Sequence, residues 1–218
     1  MPLRGFYKFF GAKRHLLFFI SHYKHFSFMN NWKDIMKITN EQNDIERVLY
    51  TEKALAARCE ALGAEITAEY KDKNPVVVCI LKGASFFYTD LCRNIRTDIY
   101  MDFISVSSYG MDAQSSGVVR LVKDINTNIT GRHVLLVEDI IDSGLTLNYL
   151  KDFFGARRPV SFKTVCLLEK EGRQSNAFQA DYLGFRIPNE FVVGYGLDYA
   201  DHYRNLPYIG VLKKECYE

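Results

Sequence analysis

At 218 residues, with 48% hydrophobic and 25% charged side chains, the chain has the composition of an ordinary globular protein and enough length to bury a real core. Its net charge of +2 conceals an uneven spread: residues 1–30 carry Arg4, Lys8, Lys13, Arg14 and Lys24 and no acid, which leaves −3 on the rest. That removes any electrostatic case for nucleic-acid binding by the body, and no run nears the roughly 20 apolar residues that span a bilayer.

Residues 1–30 are basic and aromatic, with Leu16-Leu17-Phe18-Phe19-Ile20 as their one apolar block. That block is short for a signal sequence, and no small-residue cleavage site follows it. The segment reads as an extension, loosely ordered or upstream of a true start at Met29, with a transit-like or membrane-surface role as the alternative. Residues 31–218 read as a single domain. Asp44–Tyr50 is strand-like, and Thr51 is a candidate N-cap for a helix whose apolar face is Leu55, Cys59, Leu62 and Ile66. Val76–Leu81 is apolar and β-branched throughout, the pattern of a strand buried on both faces. Lys82-Gly83-Ala84 turns the chain into a helix predicted over Ser85–Arg96. Taken alone, Lys82 reads as a solvated lysine and Gly83 as a simple turn; a ligand loop at the strand end is the other reading. Strands are predicted at Tyr100–Val106 and Val118–Val122, and the small, polar Ser107–Gly117 between them reads as a mobile hairpin loop.

Val134–Val137 is the next buried strand, and the adjacent carboxylates of Glu138 and Asp139 are expected to close it. Asp142-Ser143-Gly144-Leu145-Thr146 then turns into a helix marked by Leu147, Leu150 and Phe154 and stopped by Gly155 and Pro159. Amides at a helix start are unpaired and favour an anion, and Ser143 and Thr146 add hydroxyls beside them. Glu138 and Asp139 suit sugar hydroxyls, directly or through a divalent cation. Phosphate cradle and diol site lie side by side, as a ribose 5-phosphate requires. Solvated loop acids are the bland alternative. A receiver domain also sets two acids at a strand end, but it gives no reason for the Asp-Ser-Gly-x-Thr turn. Phe162–Leu168 is a further strand ending at Glu169-Lys170, Phe191–Tyr199 is an aromatic-apolar segment, and Tyr208–Leu212 closes with a strand. Five cysteines, an odd number without metal-type spacing, point to a reducing compartment, expected to be the cytoplasm.

Taken whole, Val134–Thr146 resembles the phosphoribosyl-pyrophosphate (PRPP) signature of the type I phosphoribosyltransferases. With a third acid at Asp142 it is most similar to the 6-oxopurine branch, the hypoxanthine(-guanine) phosphoribosyltransferases. The resemblance covers about residues 41–213. It implies a doubly wound α/β fold with a mainly parallel sheet, a small hood formed by the chain ends, and a mobile hairpin lid carrying Ser108 and Tyr109. It also implies magnesium, held by Glu138, Asp139 and Asp198. PRPP would be bound by Glu138, Asp139, Asp142, Ser143, Gly144, Leu145 and Thr146, with Lys82, Gly83 and Arg204 at its pyrophosphate. The Leu81–Lys82 peptide is cis in relatives. The purine would meet Lys170 at its 6-oxo group, the ring of Phe191 and the backbone of Val192, with Asp142 as the catalytic group at N7. Glu171-Gly172-Arg173 departs from the proline common in the family.

The implied reaction is purine salvage: a 6-oxopurine and PRPP give the nucleoside 5′-monophosphate and pyrophosphate. The implied partners are small molecules and further copies of the chain, as a homodimer or homotetramer, with no nucleic acid or membrane for the catalytic domain. A PRPP-sensing regulator on the same fold, or a transferase for another base such as xanthine, remain the alternatives.

Overall fold

The computed structural model describes residues 43–108, 119–172 and 178–218. β1 (Ile45–Tyr50) leads into α1 (Glu52–Tyr70), where the Thr51 hydroxyl accepts a hydrogen bond from the Ala54 amide at 3.3 Å and caps the helix. β2 (Val76–Leu81), α2 (Ser85–Asn94), β3 (Tyr100–Ser108) and β4 (Val119–Lys123) follow. Then come β5 (His133–Ile141), α3 (Leu145–Gly155), β6 (Ser161–Lys170), β7 (Tyr182–Ile187), β8 (Val192–Val193) and β9 (Ile209–Leu212).

Six strands form one sheet in the order β4-β3-β2-β5-β6-β7, every neighbouring pair parallel except β3 and β4. Alternation along the central strands explains why they read as unbroken apolar runs. Val77, Cys79, Leu135 and Val137 face α1 and α2, whereas Val76, Val78, Val134 and Leu136 face α3. Each such side chain, taken fully out of water, contributes about 1.5–3 kcal/mol, so the two faces together hold the layers on the sheet. The fold is therefore the doubly wound α/β arrangement that the resemblance implies. β1, β9 and β8 form a separate antiparallel sheet from the two ends of the described chain, which is the expected hood.

From β2 the chain crosses by α2 to β3, and from β5 it crosses by α3 to β6. β2 and β5 are neighbours, and these crossovers leave in opposite directions, so a topological switch point lies between them. The register shows the opening directly. β2 pairs with β5 only from Val76↔Val134 to Cys79↔Val137, whereas β5 goes on pairing with β6 to Ile141↔Glu169. Beyond Val137 the edge of β5 that faced β2 is free of strand pairing, and the next residues are Glu138 and Asp139.

Two expectations need correction. The acidic pair does not close a strand: β5 runs on through it to Ile141, because β6 supplies the ladder on the other side. The second helix stops at Asn94, where the Ile95 amide caps the carbonyls of Leu91 and Cys92. Sequence patterning also misses β7 altogether, since Gly184 breaks the run Tyr182–Ile187 as a turn signal would. Here the glycine answers a close approach: a β-carbon on Gly184 would lie 2.3 Å from the Leu167 carbonyl oxygen on β6. The hairpin tip with Tyr109, and the N-terminal extension, lie outside the described residues.

Candidate active site

The turn after β5 is shaped by Gly144, whose φ of +76° is left-handed backbone that an L side chain resists. No side chain caps α3 and no acid sits in its first turn, so its leading amides keep their pull on an anion. The Ser143 hydroxyl lies a long 3.5 Å from the Leu145 amide. Ile140–Leu147, together with Glu138, line a cavity of about 90 Å³. All five residues expected at the 5-phosphate, Asp142 to Thr146, are in this lining.

Glu138 and Asp139 interact with each other, and both are pushed above the usual carboxylate range. For Glu138 the causes are burial first and the Asp139 charge second, and the shift is large. For Asp139 burial outweighs the hydrogen bonds that favour its ionised form, including one from the Ile140 amide at 2.7 Å, and the Arg204 charge also pulls it down. Glu138 Oε2 is buried with no hydrogen-bond partner. Two crowded acids with an orphan oxygen form a donor set made for a cation. Among the described residues no three His, Cys, Asp or Glu side chains gather into a metal cage. A pair of carboxylates suits a hard ion such as magnesium, which completes its shell with water and substrate phosphate oxygens.

Across the opening stands the turn after β2. The Leu81–Lys82 peptide is cis, as the resemblance implies. Gly83 lies hard against the acids, since a β-carbon there would come 1.7 Å from Asp139 Oδ2. On its other side is the hood: a β-carbon on Gly196 would lie 1.9 Å from the Gly83 carbonyl oxygen. The two glycines let three chain segments touch. Arg204 reaches from the hood, donating from Nη1 to the Gly196 carbonyl at 2.8 Å and pairing through Nη2 with Asp198 at 2.7 Å and Asp201 at 2.9 Å. Its Nε is buried without a partner. Lys82 Nζ donates to Asp201 Oδ1 at 3.0 Å. Asp198, expected at a metal, is engaged on both oxygens, by Arg204 on one and by the Asp201 amide at 2.8 Å on the other.

Lys170 ends β6, one residue past Glu169, which pairs with Ile141 at the end of β5, so it lies at the sheet end where Asp142 leaves the strand. Phe191 leads the hood strand β8, its ring stacked on Tyr217 at 4.9 Å and met edge-on by Tyr199 at 5.5 Å. Val192 pairs with Val211. Ser108 ends β3 opposite Val119, and Tyr109 lies outside the described residues. Sequence reasoning missed Asp201, Tyr195 and Gly196. The spacing Asp198-x-x-Asp201-x-x-Arg204 was the available signal for the first. Tyr195 donates to Asp90 at 2.6 Å and so ties the hood to α2. A larger cavity, about 780 Å³, lies between α1, α2 and the hood near Leu55, Phe86 and Tyr195. It contains none of the expected residues, so the chemistry of the lining selects the smaller site over the larger volume.

The sequence profile of the phosphoribosyl transferase domain matches residues 48–200. The chain belongs to the phosphoribosyltransferase family. It is 51% identical over 177 residues to the hypoxanthine-guanine phosphoribosyltransferase of Bacillus subtilis, covering 81% of this chain and 98% of that one. It is 55% identical over 175 residues to the bifunctional protein TilS/HprT of Listeria innocua. That match takes in 80% of this chain, which spans only 27% of the bifunctional relative's length. A crystal structure of a hypoxanthine phosphoribosyltransferase from Staphylococcus aureus superposes with a TM-score of 0.80 at 43% identity, covering 83% of this chain and 98% of that one. For a phosphoribosyltransferase the opening between β2 and β5 is thus a site built at the expected position in the sheet.

A buried acid pair should cost the free protein stability. A carboxyl whose pKa is raised on folding keeps a proton that the unfolded chain has lost, so stability falls as pH rises from the ordinary carboxylate value through the raised one. Glu138→Gln cannot ionise, and thermal unfolding at about pH 7.5 should show a Tm higher by roughly 2–8 °C, or about 1–2 kcal/mol at this size, shrinking near pH 4. A variant less stable than the parent at neutral pH would contradict the assignment.

Proposed function

We propose that the chain transfers the 5-phosphoribosyl group of PRPP to N9 of hypoxanthine and guanine, giving IMP or GMP and pyrophosphate. The observation that carries this reading is the convergence at the switch point: an anion-binding turn, a crowded acid pair and the two cations Lys82 and Arg204 around one opening. The named relatives lend it support along most of the chain.

Each part answers a physical need. The amides and hydroxyls of residues 143–146 hold the 5-phosphate, so binding energy remote from the reacting carbon orients it. Glu138 and Asp139 take the 2′ and 3′ hydroxyls and add negative potential beneath a ribose that becomes cation-like as its bond to pyrophosphate breaks. Magnesium, with Glu138, Asp139 and Asp198 as its candidate ligands, supplies positive charge to the leaving group. Lys82 and Arg204 stabilise the same developing charge from the protein side. Asp142 accepts or shares the proton on purine N7 and so raises the nucleophilicity of N9. Phe191, braced by Tyr217, stacks on the base, and Val192 offers backbone groups to its edge. Ser108 and Tyr109 belong to a lid that excludes water during transfer. Lys170 is a pure donor, which fits an oxygen at purine C6 and has nothing for an amino group to donate to.

We further assign the active form to a homodimer or homotetramer in the cytoplasm. The five free cysteines suit a reducing compartment, and no helix of the described residues is long and apolar enough to cross a membrane.

The deciding assay is magnesium-dependent pyrophosphate release from PRPP with hypoxanthine, guanine, xanthine and adenine in parallel. Hypoxanthine and guanine should turn over, with adenine lower by about 100-fold or more in kcat/KM. Adenine turned over as fast as hypoxanthine would contradict the role of Lys170, and Lys170→Ala should narrow the gap. Asp142→Asn should lower kcat by about 10²- to 10⁴-fold with little change in the KM for PRPP. Unchanged turnover at neutral pH would remove Asp142 from the chemistry.

A further inference from the structure

One carboxylate oxygen, Asp201 Oδ1, bridges the two cations assigned above to pyrophosphate. It accepts from Lys82 Nζ at 3.0 Å, 119 positions away in sequence, and from Arg204 Nη2 at 2.9 Å. We propose that Asp201 is an internal competitor for pyrophosphate: between turnovers its carboxylate holds Lys82 and Arg204, it gives way when the pyrophosphate end of PRPP arrives, and it returns to hasten release of the product. This rests on the reading of the site as a PRPP site and deepens it.

The geometry divides the two cations into one fixed and one movable. Arg204 is one-quarter exposed and keeps two other anchors, the Gly196 carbonyl and Asp198, so losing Asp201 leaves its guanidinium aimed as before. Lys82 and Asp201 are each about two-thirds exposed, at 69% and 67%, and their contact is a solvated ion pair that an incoming polyanion can replace. A buried bridge would be too costly to open in each cycle; an exposed one is not.

The backbone aims Asp201 at this spot. Ala200 and Asp201 have φ of +52° and +66°, and Tyr199 and His202 exchange backbone hydrogen bonds across them at 3.3 and 2.9 Å, which makes a tight turn with Asp201 near its tip. The Asp201 amide donates to Asp198 Oδ2 at 2.8 Å, fixing the turn to the residue beside Arg204. With two cations on one oxygen, the Asp201 carboxylate is their shared counter-ion. It is thus a single charge set where a more highly charged anion is to bind, strong enough to organise Lys82 and weak enough to lose.

The test is calorimetric binding of inorganic pyrophosphate, with magnesium, to the parent protein and to Asp201→Asn. Asparagine keeps the volume and tolerates the left-handed backbone, so the turn survives while the charge goes. Removing a competitor should tighten pyrophosphate by about 3- to 10-fold at low salt. The gain should shrink as added salt screens the parent's ion pairs. A second variant, Asp201→Ser, should move affinity the same way. If Asp201 merely positions the cations, or holds magnesium, both variants should bind pyrophosphate more weakly. That outcome overturns the proposal, as does unaltered affinity. A parent protein that binds no pyrophosphate takes down the reading of the site as well, so the two failures are told apart.

Discussion

Two neighbouring carboxylates, Glu138 and Asp139, sit where β2 stops pairing with β5, Asp139 buried and Glu138 half-buried with one oxygen shielded and unpartnered. Burial pushes both carboxyls up, and the Asp139 charge raises Glu138 further. A protein under no demand but stability would replace them. The pair, with its orphan oxygen and the partnerless Arg204 Nε nearby, fits the proposed ligand, which brings its own counter-charge.

Three segments distant in sequence meet around this pair, and small residues decide that they can. Gly83 admits Asp139 on one side and Gly196 on the other; a methyl group at either position would collide with backbone or carboxylate. The cationic end of the site is therefore held by contact between backbones, and the long side chains of Lys82 and Arg204 need only bridge the last few ångströms. Asp198 and Asp201 are the protein's own anions for these two cations.

Much of this was legible in the residues. Val76–Leu81 and Val134–Val137 read as strands because both faces of a central parallel sheet are buried and the run is apolar without interruption. The anion-binding turn was legible because glycine, hydroxyls and an uncapped helix start sit within five residues. What escaped depends on partners that no local pattern contains. β5 continues through two acids only because β6 lies alongside, and Gly184 sits within a strand because Leu167 approaches it there. Asp201 looks like a solvated loop acid until Lys82, from the far half of the chain, is brought beside it.

If this reading holds, the acid pair admits PRPP only together with a divalent cation. Thermal unfolding of the parent protein tests it most directly, with PRPP alone in a chelator, magnesium alone, and both together. At a ligand concentration about a hundred times the dissociation constant, both together should stabilise by about 2.7 kcal/mol, and either alone by little. PRPP that stabilises equally well in the chelator would contradict the claim, because the carboxylates would then be tolerating a polyanion unaided.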